Sequence, residues 1–298
     1  MDSQLVLHLG AHRTGTTSIQ AALDSASGEL SRSGIVALTP PRPGKRGLIT
    51  VRKLVKILVS AKGPAALLKL PLKRYQSRNL LDELIRDCGV EPAGISRLIL
   101  SDEMMPGRAF APDGSSLYPF ALDHLNSLKR VLSRPVDEIH LTLRSYDSFL
   151  TSVYAMRAVY AHDIPPFDEI AGRLLKIERR WPEVVGDVLS VFGEARLVLS
   201  TVEETGLQQR IAALVGPAAD KIDFSSHLPD RLNRAPTLEA ITQALRAPGE
   251  IGDPDLLVEH FKNGTTFDPI SKTERSRLKT NYEQDLDELR QIESLVWL

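Results

Sequence analysis

Cysteine is almost absent from this sequence: Cys88 is the only one in 298 residues. A single thiol excludes an intramolecular disulfide and a cysteine-based metal cluster, and it suits a reducing compartment. Aromatic residues make up 5% of the chain, and they are not interleaved with the basic residues as stacking on single-stranded nucleic acid requires, so no nucleic-acid partner is expected. Long hydrophobic runs are missing as well. The longest early one, Leu5–Leu9, follows no basic segment and is too short for a signal sequence or a membrane span, which makes the cytoplasm the expected location. Acidic residues are missing locally: twelve Lys or Arg and no Asp or Glu lie between Leu30 and Leu81. The whole chain carries −1, so the remainder carries −13. Such a separation points to an anionic partner rather than to a fold.

What is present is ordinary for a globular protein, with 42% apolar and 25% charged residues. The length admits two domains or one large α/β domain. The organisation expected is one domain over 1–298, with 30–81 as a basic insertion or lid and 225–298 as a helical C-terminal part. Apolar runs at Leu5–Leu9, Gly34–Leu38, Arg97–Ser101, Ile139–Leu143 and Arg196–Ser200 read as strands. Between them, helical spacing runs through Ser18–Leu23, Asn79–Cys88, Leu117–Leu132, the segment from Tyr146, Trp181–Phe192 and Glu203–Val215. Strand and helix alternate throughout, which predicts a three-layer α/β fold: a mainly parallel central sheet flanked by helices, with its ligand site at the carboxyl ends of the strands. After Ser225 no strand is evident. A last helix is expected from the capping box Ser271–Glu274, with Leu278, Tyr282, Leu286, Leu289 and Ile292 along one side.

The most informative stretch is Gly10-Ala-His-Arg-Thr-Gly15-Thr16-Thr17, between an apolar strand and a helix. Backbone N–H groups in such a turn converge on an anion. A P-loop for ATP reads G-x-x-x-x-G-K-[ST]; here both glycines and Thr17 are in place, but Thr16 stands where the lysine belongs. The cation sits instead inside the loop, at Arg13. A triphosphate is therefore the less natural ligand.

The run from His8 to Gln20 resembles the 5′-phosphosulfate loop of the sulfotransferase superfamily. Many members carry Lys where Arg13 stands, commonly after Pro rather than His12, while tyrosylprotein sulfotransferases have arginine there. The resemblance implies a P-loop-NTPase-like fold and 3′-phosphoadenosine 5′-phosphosulfate as cosubstrate, with no metal. It places Arg13 at the bridging oxygen and Gly15, Thr16 and Thr17 on the 5′-phosphate, with Gly10 and Thr14 in the same cradle. Arg144 followed eight residues later by Ser152, across a strand-to-helix junction, resembles the 3′-phosphate motif of the same superfamily. Ser145, Ser148 and Ser152 fall at helical spacing, so their hydroxyls are expected on one face.

Sulfuryl transfer needs a group to take the acceptor proton. Glu103, in the Asp102-Glu103 pair after the apolar strand, is the first candidate and His12 the second; His8 reads as a packed strand residue. The same pair also resembles the Mg²⁺-binding strand of a P-loop kinase, which remains an alternative, as does a noncatalytic nucleotide- or polyanion-binding module. The acid-free stretch, with Arg52, Lys53 and Lys56 among apolar residues, reads either as a solvated helix or as a surface for an anionic acceptor. That acceptor would be a small molecule, a glycan or a glycolipid, reached through a peripheral contact of 45–74 with the inner membrane surface. Lys262–Gly264 is a further basic loop able to reach a 3′-phosphate.

Overall fold

Strand β1 (Gln4–His8) shows why the sheet is covered on both sides, because Leu5, Val6 and Leu7 are each 0% exposed. Successive side chains of a strand point to opposite faces, so neither face of β1 meets solvent. Strands β3 (Arg97–Ser101) and β4 (Glu138–Leu143) are buried along their whole length too, as a parallel sheet between two helical layers requires. With β2 (Ile35–Leu38), β5 (Arg196–Thr201) and β6 (Leu295–Trp297), they form one six-stranded, all-parallel sheet in the order β2-β3-β1-β4-β5-β6. The computed structural model describes residues 3–40, 81–111, 116–132, 134–160, 166–228, 241 and 267–298. The basic stretch 41–80, with 45–74 inside it, and Lys262–Gly264 lie outside the described residues.

Alternation along the strands divides the interior in two. Leu5, Leu7, Leu98, Leu100, Leu141 and Leu199 face one layer, built from α3 (Ala121–Val131), α4 (Tyr146–Tyr160), α5 (Phe167–Leu174), α6 (Trp181–Phe192) and α8 (Lys272–Arg290). Val6, Ile35 and Ile99 face the other, built from α1 (Thr16–Ser25), α2 (Ser27–Arg32) and α7 (Leu207–Val215). Each fully buried Leu or Ile contributes ~1.5–3 kcal/mol. The three-layer α/β architecture expected from the sequence is the one observed.

Four local expectations differ. A strand does exist after Ser225: β6 pairs with β5 through Leu197–Leu295, Val198–Val296 and Leu199–Trp297. It is too short to show a period of two. The helix expected from Leu117 begins at Ala121, because Leu117 bridges to Phe110 and Tyr118 has a φ of 44°. The helix expected from Glu203 begins at Leu207, because the Glu204 N–H donates to Thr201 Oγ1 at 3.0 Å in a turn that precedes it. The short helices α2 and α5 were not anticipated at all. The last helix starts where expected, with Ser271 Oγ accepting from the Glu274 N–H at 3.3 Å.

Because β1 lies between β3 and β4, the chain leaves it towards β2 on one side and later crosses to β4 on the other. The carboxyl end of β1 is thus a topological switch point, where parallel α/β sheets open a crevice. Among the described residues, no helix is long and apolar enough to cross a membrane.

Candidate functional site

The loop after β1 is held in a shape that few residues permit. Gly10, Arg13 and Gly15 have φ of 45°, 64° and 89°. A Cβ on Gly10 would lie 2.3 Å from Thr16 Oγ1, so the glycine is required both by its dihedral and by the threonine packed beneath it. Thr16 is 3% exposed, and its Oγ1 reaches Ala11 O at 3.4 Å. Thr14 Oγ1 donates to the same carbonyl at 2.7 Å. Both hydroxyls are turned into the loop, and both residues are buried beneath it. Helix α1 opens at Gly15 with no side-chain cap and no acidic residue in its first turn. Its positive end therefore faces the loop without an internal counter-charge.

Three arginines surround this turn. Arg13 Nε donates to Ser152 Oγ at 2.7 Å. Arg144, at the end of β4, donates from Nη1 to Arg13 O at 2.5 Å and from Nε to Ser148 Oγ at 2.9 Å. Arg210, on α7, donates from Nη1 to Thr14 O at 2.5 Å. Two consecutive carbonyls are thus each held by a guanidinium. A trans peptide sets N–H opposite C=O, so the N–H groups of Thr14 and Gly15 are aimed the other way, off the guanidiniums. Burial pulls Arg144 and Arg210 below the ordinary guanidinium range, while Glu203 beside both, and Asp147 beside Arg144, pull back. Glu203 is itself fixed by the Ser145 N–H at 3.0 Å and the Tyr282 hydroxyl at 3.1 Å.

Packing from the helical layer sets the position of Arg144. Trp181, fully buried, donates its Nε1–H to Arg144 O at 3.0 Å and stacks on Tyr146 at 6.2 Å. Tyr146 donates to Asp285 on α8, which also pairs with Arg180 at 2.8 Å. Ser148 and Ser152 turn towards the loop as the helical spacing implied. Ser145 does not: it precedes α4, and its Oγ donates to Asp147 Oδ1 at 2.5 Å.

On the β3 side, the Asp102 N–H donates to His8 O at 3.0 Å, and the fully buried carboxylate accepts from the Met104 N–H at 2.8 Å. Gln20 of α1 donates to Glu103 Oε2 at 3.1 Å and to Ser101 O at 3.3 Å. His12 meets the Tyr118 hydroxyl through its backbone N–H at 2.8 Å and its Nδ1 at 2.9 Å, and its Nε2 lies 3.2 Å from Met104 Sδ. His8 packs against Ser101 Oγ at 2.8 Å; burial first, then His140 and Arg210, push its pKa down to about 3. It is a neutral core residue, as the sequence suggested.

The structure thus brings Gly10, His12, Arg13, Thr14, Gly15, Thr16, Thr17, Glu103, Arg144 and Ser152 to one edge of the sheet. Arg13 and Ser152, expected at separate phosphates, form one hydrogen-bonded cluster. Arg210, Glu203 and Tyr118 were missed. For Arg210 a signal existed, since it occupies a core-facing position of α7 beside Ile211 and Leu214. Among the described residues, no group of three or more His, Cys, Asp or Glu could hold a metal ion. Compared with known protein families and with curated proteins, the chain has no significant match in either.

Proposed function

We propose that the chain is a sulfotransferase, moving a sulfuryl group from 3′-phosphoadenosine 5′-phosphosulfate to a hydroxyl or amine of a small-molecule, glycan or glycolipid acceptor. The observation that carries this reading is the convergence of Arg13 and Arg144 at the uncapped start of α1, with Thr16 at the P-loop lysine position turned under Gly10. Among the described residues the site gathers positive charge around the start of α1, with Thr16 instead of a lysine at the position that would reach along a triphosphate. In the reaction, the acceptor oxygen or nitrogen bonds to sulfur and the bond from sulfur to the 5′-phosphate oxygen breaks. Arg13 and the helix start stabilise the charge that develops on the leaving phosphate. Glu103 takes the acceptor proton, and Arg144 with Ser152 serves the 3′-phosphate.

A magnesium-dependent kinase draws support from Asp102, the residue that follows β3, the strand beside β1. One assay separates the readings. Transfer of label from ³⁵S-labelled donor to a panel of hydroxyl and amine acceptors is expected to persist in excess chelator. Phosphate transfer from ATP that stops with chelator would instead establish the kinase.

A further inference from the structure

Tyr118 is 1% exposed, in the turn before α3, with its ring against Trp181 and Phe149 at centroid distances of 6.1 and 6.4 Å. Among the described residues its hydroxyl hydrogen-bonds only to His12. Burial raises its pKa far above the ordinary phenol value, so the oxygen keeps its one proton. The backbone N–H of His12 can only donate, and it occupies one lone pair of that oxygen. The contact with Nδ1 at 2.9 Å then has two forms. If Nδ1 carried hydrogen, the phenol proton would point into the core without an acceptor, disfavoured by roughly tenfold to a hundredfold. If Nδ1 accepts, every group is satisfied.

The neutral imidazole therefore carries its proton on Nε2. That nitrogen lies 3.2 Å from the thioether of Met104, which is 39% exposed. A thioether is a weak acceptor, readily exchanged for an anionic oxygen. We infer that Tyr118 is a positioning residue that locks His12 as an Nε2–H donor to an anion bound at the loop, leaving proton abstraction to Glu103. The tautomer stands on the geometry alone, whereas the division of labour with Glu103 rests on the proposed sulfuryl transfer.

Imidazole ¹⁵N spectra of histidine-labelled protein at pH 8, with the His12 signals assigned by their loss in His12→Gln, test the tautomer directly. The expected pattern is a protonated Nε2 and an unprotonated Nδ1; the reverse pattern overturns the inference. In Tyr118→Phe, which keeps the ring, the His12 signals are expected to move towards a mixture of tautomers, and an unchanged pattern would equally count against it. In transfer assays, His12→Gln, whose amide N–H can replace the Nε2 donor, is expected to exceed His12→Ala by about tenfold, with Glu103→Gln reduced by ~10²–10⁴-fold. A His12→Gln as damaged as Glu103→Gln would make the imidazole the base and end the proposal. Wild-type protein with the Nε2–H signature but no sulfuryl transfer upholds the tautomer and contradicts the reaction, so the two fail separately.

Discussion

At Arg144 the guanidinium reaches two acceptors from separate nitrogens, Arg13 O from Nη1 and Ser148 Oγ from Nε, while remaining charged beside the loop. A planar fork does this, and a lysine does not. Arg144→Lys is therefore expected to weaken binding of 3′-phosphoadenosine 5′-phosphate by ~10–100-fold, the range for one charge-assisted hydrogen bond; affinity within twofold of wild type would remove Arg144 from the site. His8 makes a different prediction. Its folded pKa, about 3, lies below the unfolded value of 6.5. Between those values the unfolded chain binds a proton that the folded one refuses, so stability is lost as pH falls from 6.5 towards 3, at up to ~1.4 kcal/mol per pH unit from this group. His140 is lowered by burial in the same direction. His8→Asn, which can keep the Ser101 contact, is expected to lose stability less steeply between pH 6.5 and 5 in urea unfolding; an unchanged slope would mean that His8 titrates normally.

Among the elements, the loop from β1 to α1 is the least tolerant. Gly10→Ala combines a φ of 45° with a Cβ 2.3 Å from Thr16 Oγ1. The dihedral alone costs about 1–3 kcal/mol, and the overlap forces the loop out of shape. A lowered Tm together with lost nucleotide binding is expected. Gly28→Ala, in α2 with nothing nearer than 3.9 Å, serves as the control and is expected to be neutral or slightly stabilising. This loop was legible in the sequence because its constraints are local: glycines at fixed offsets, an apolar strand before and a helix after. Ser152 was legible for the same reason, eight residues beyond Arg144. Tyr118 and Glu203 were not, because their roles depend on contacts made 106 residues away with His12 and 79 residues away with Tyr282. Likewise β6 is defined by its partner β5, not by any pattern in its own three residues.

Over the whole molecule, the alternation of strands and helices was enough to imply a three-layer sheet, since the first five strands announced themselves through runs of Leu, Ile and Val. The strand order was not implied, yet it is what brings the site together: with β1 between β3 and β4, the loops bearing Glu103, Arg13 and Arg144 become neighbours. Helix α8 then braces that edge from a distance in sequence, through Asp285 to Tyr146, Tyr282 to Glu203, and Arg275 to Asp147 at 2.8 Å. The central claim is that this edge is built for a nucleoside with phosphates at two positions rather than for a magnesium triphosphate. Calorimetric titration of the full chain with 3′-phosphoadenosine 5′-phosphate and with ATP, each with and without Mg²⁺, tests it most directly. The account predicts tighter binding of the bisphosphate, indifferent to Mg²⁺; a preference for ATP that appears only with Mg²⁺ would contradict it.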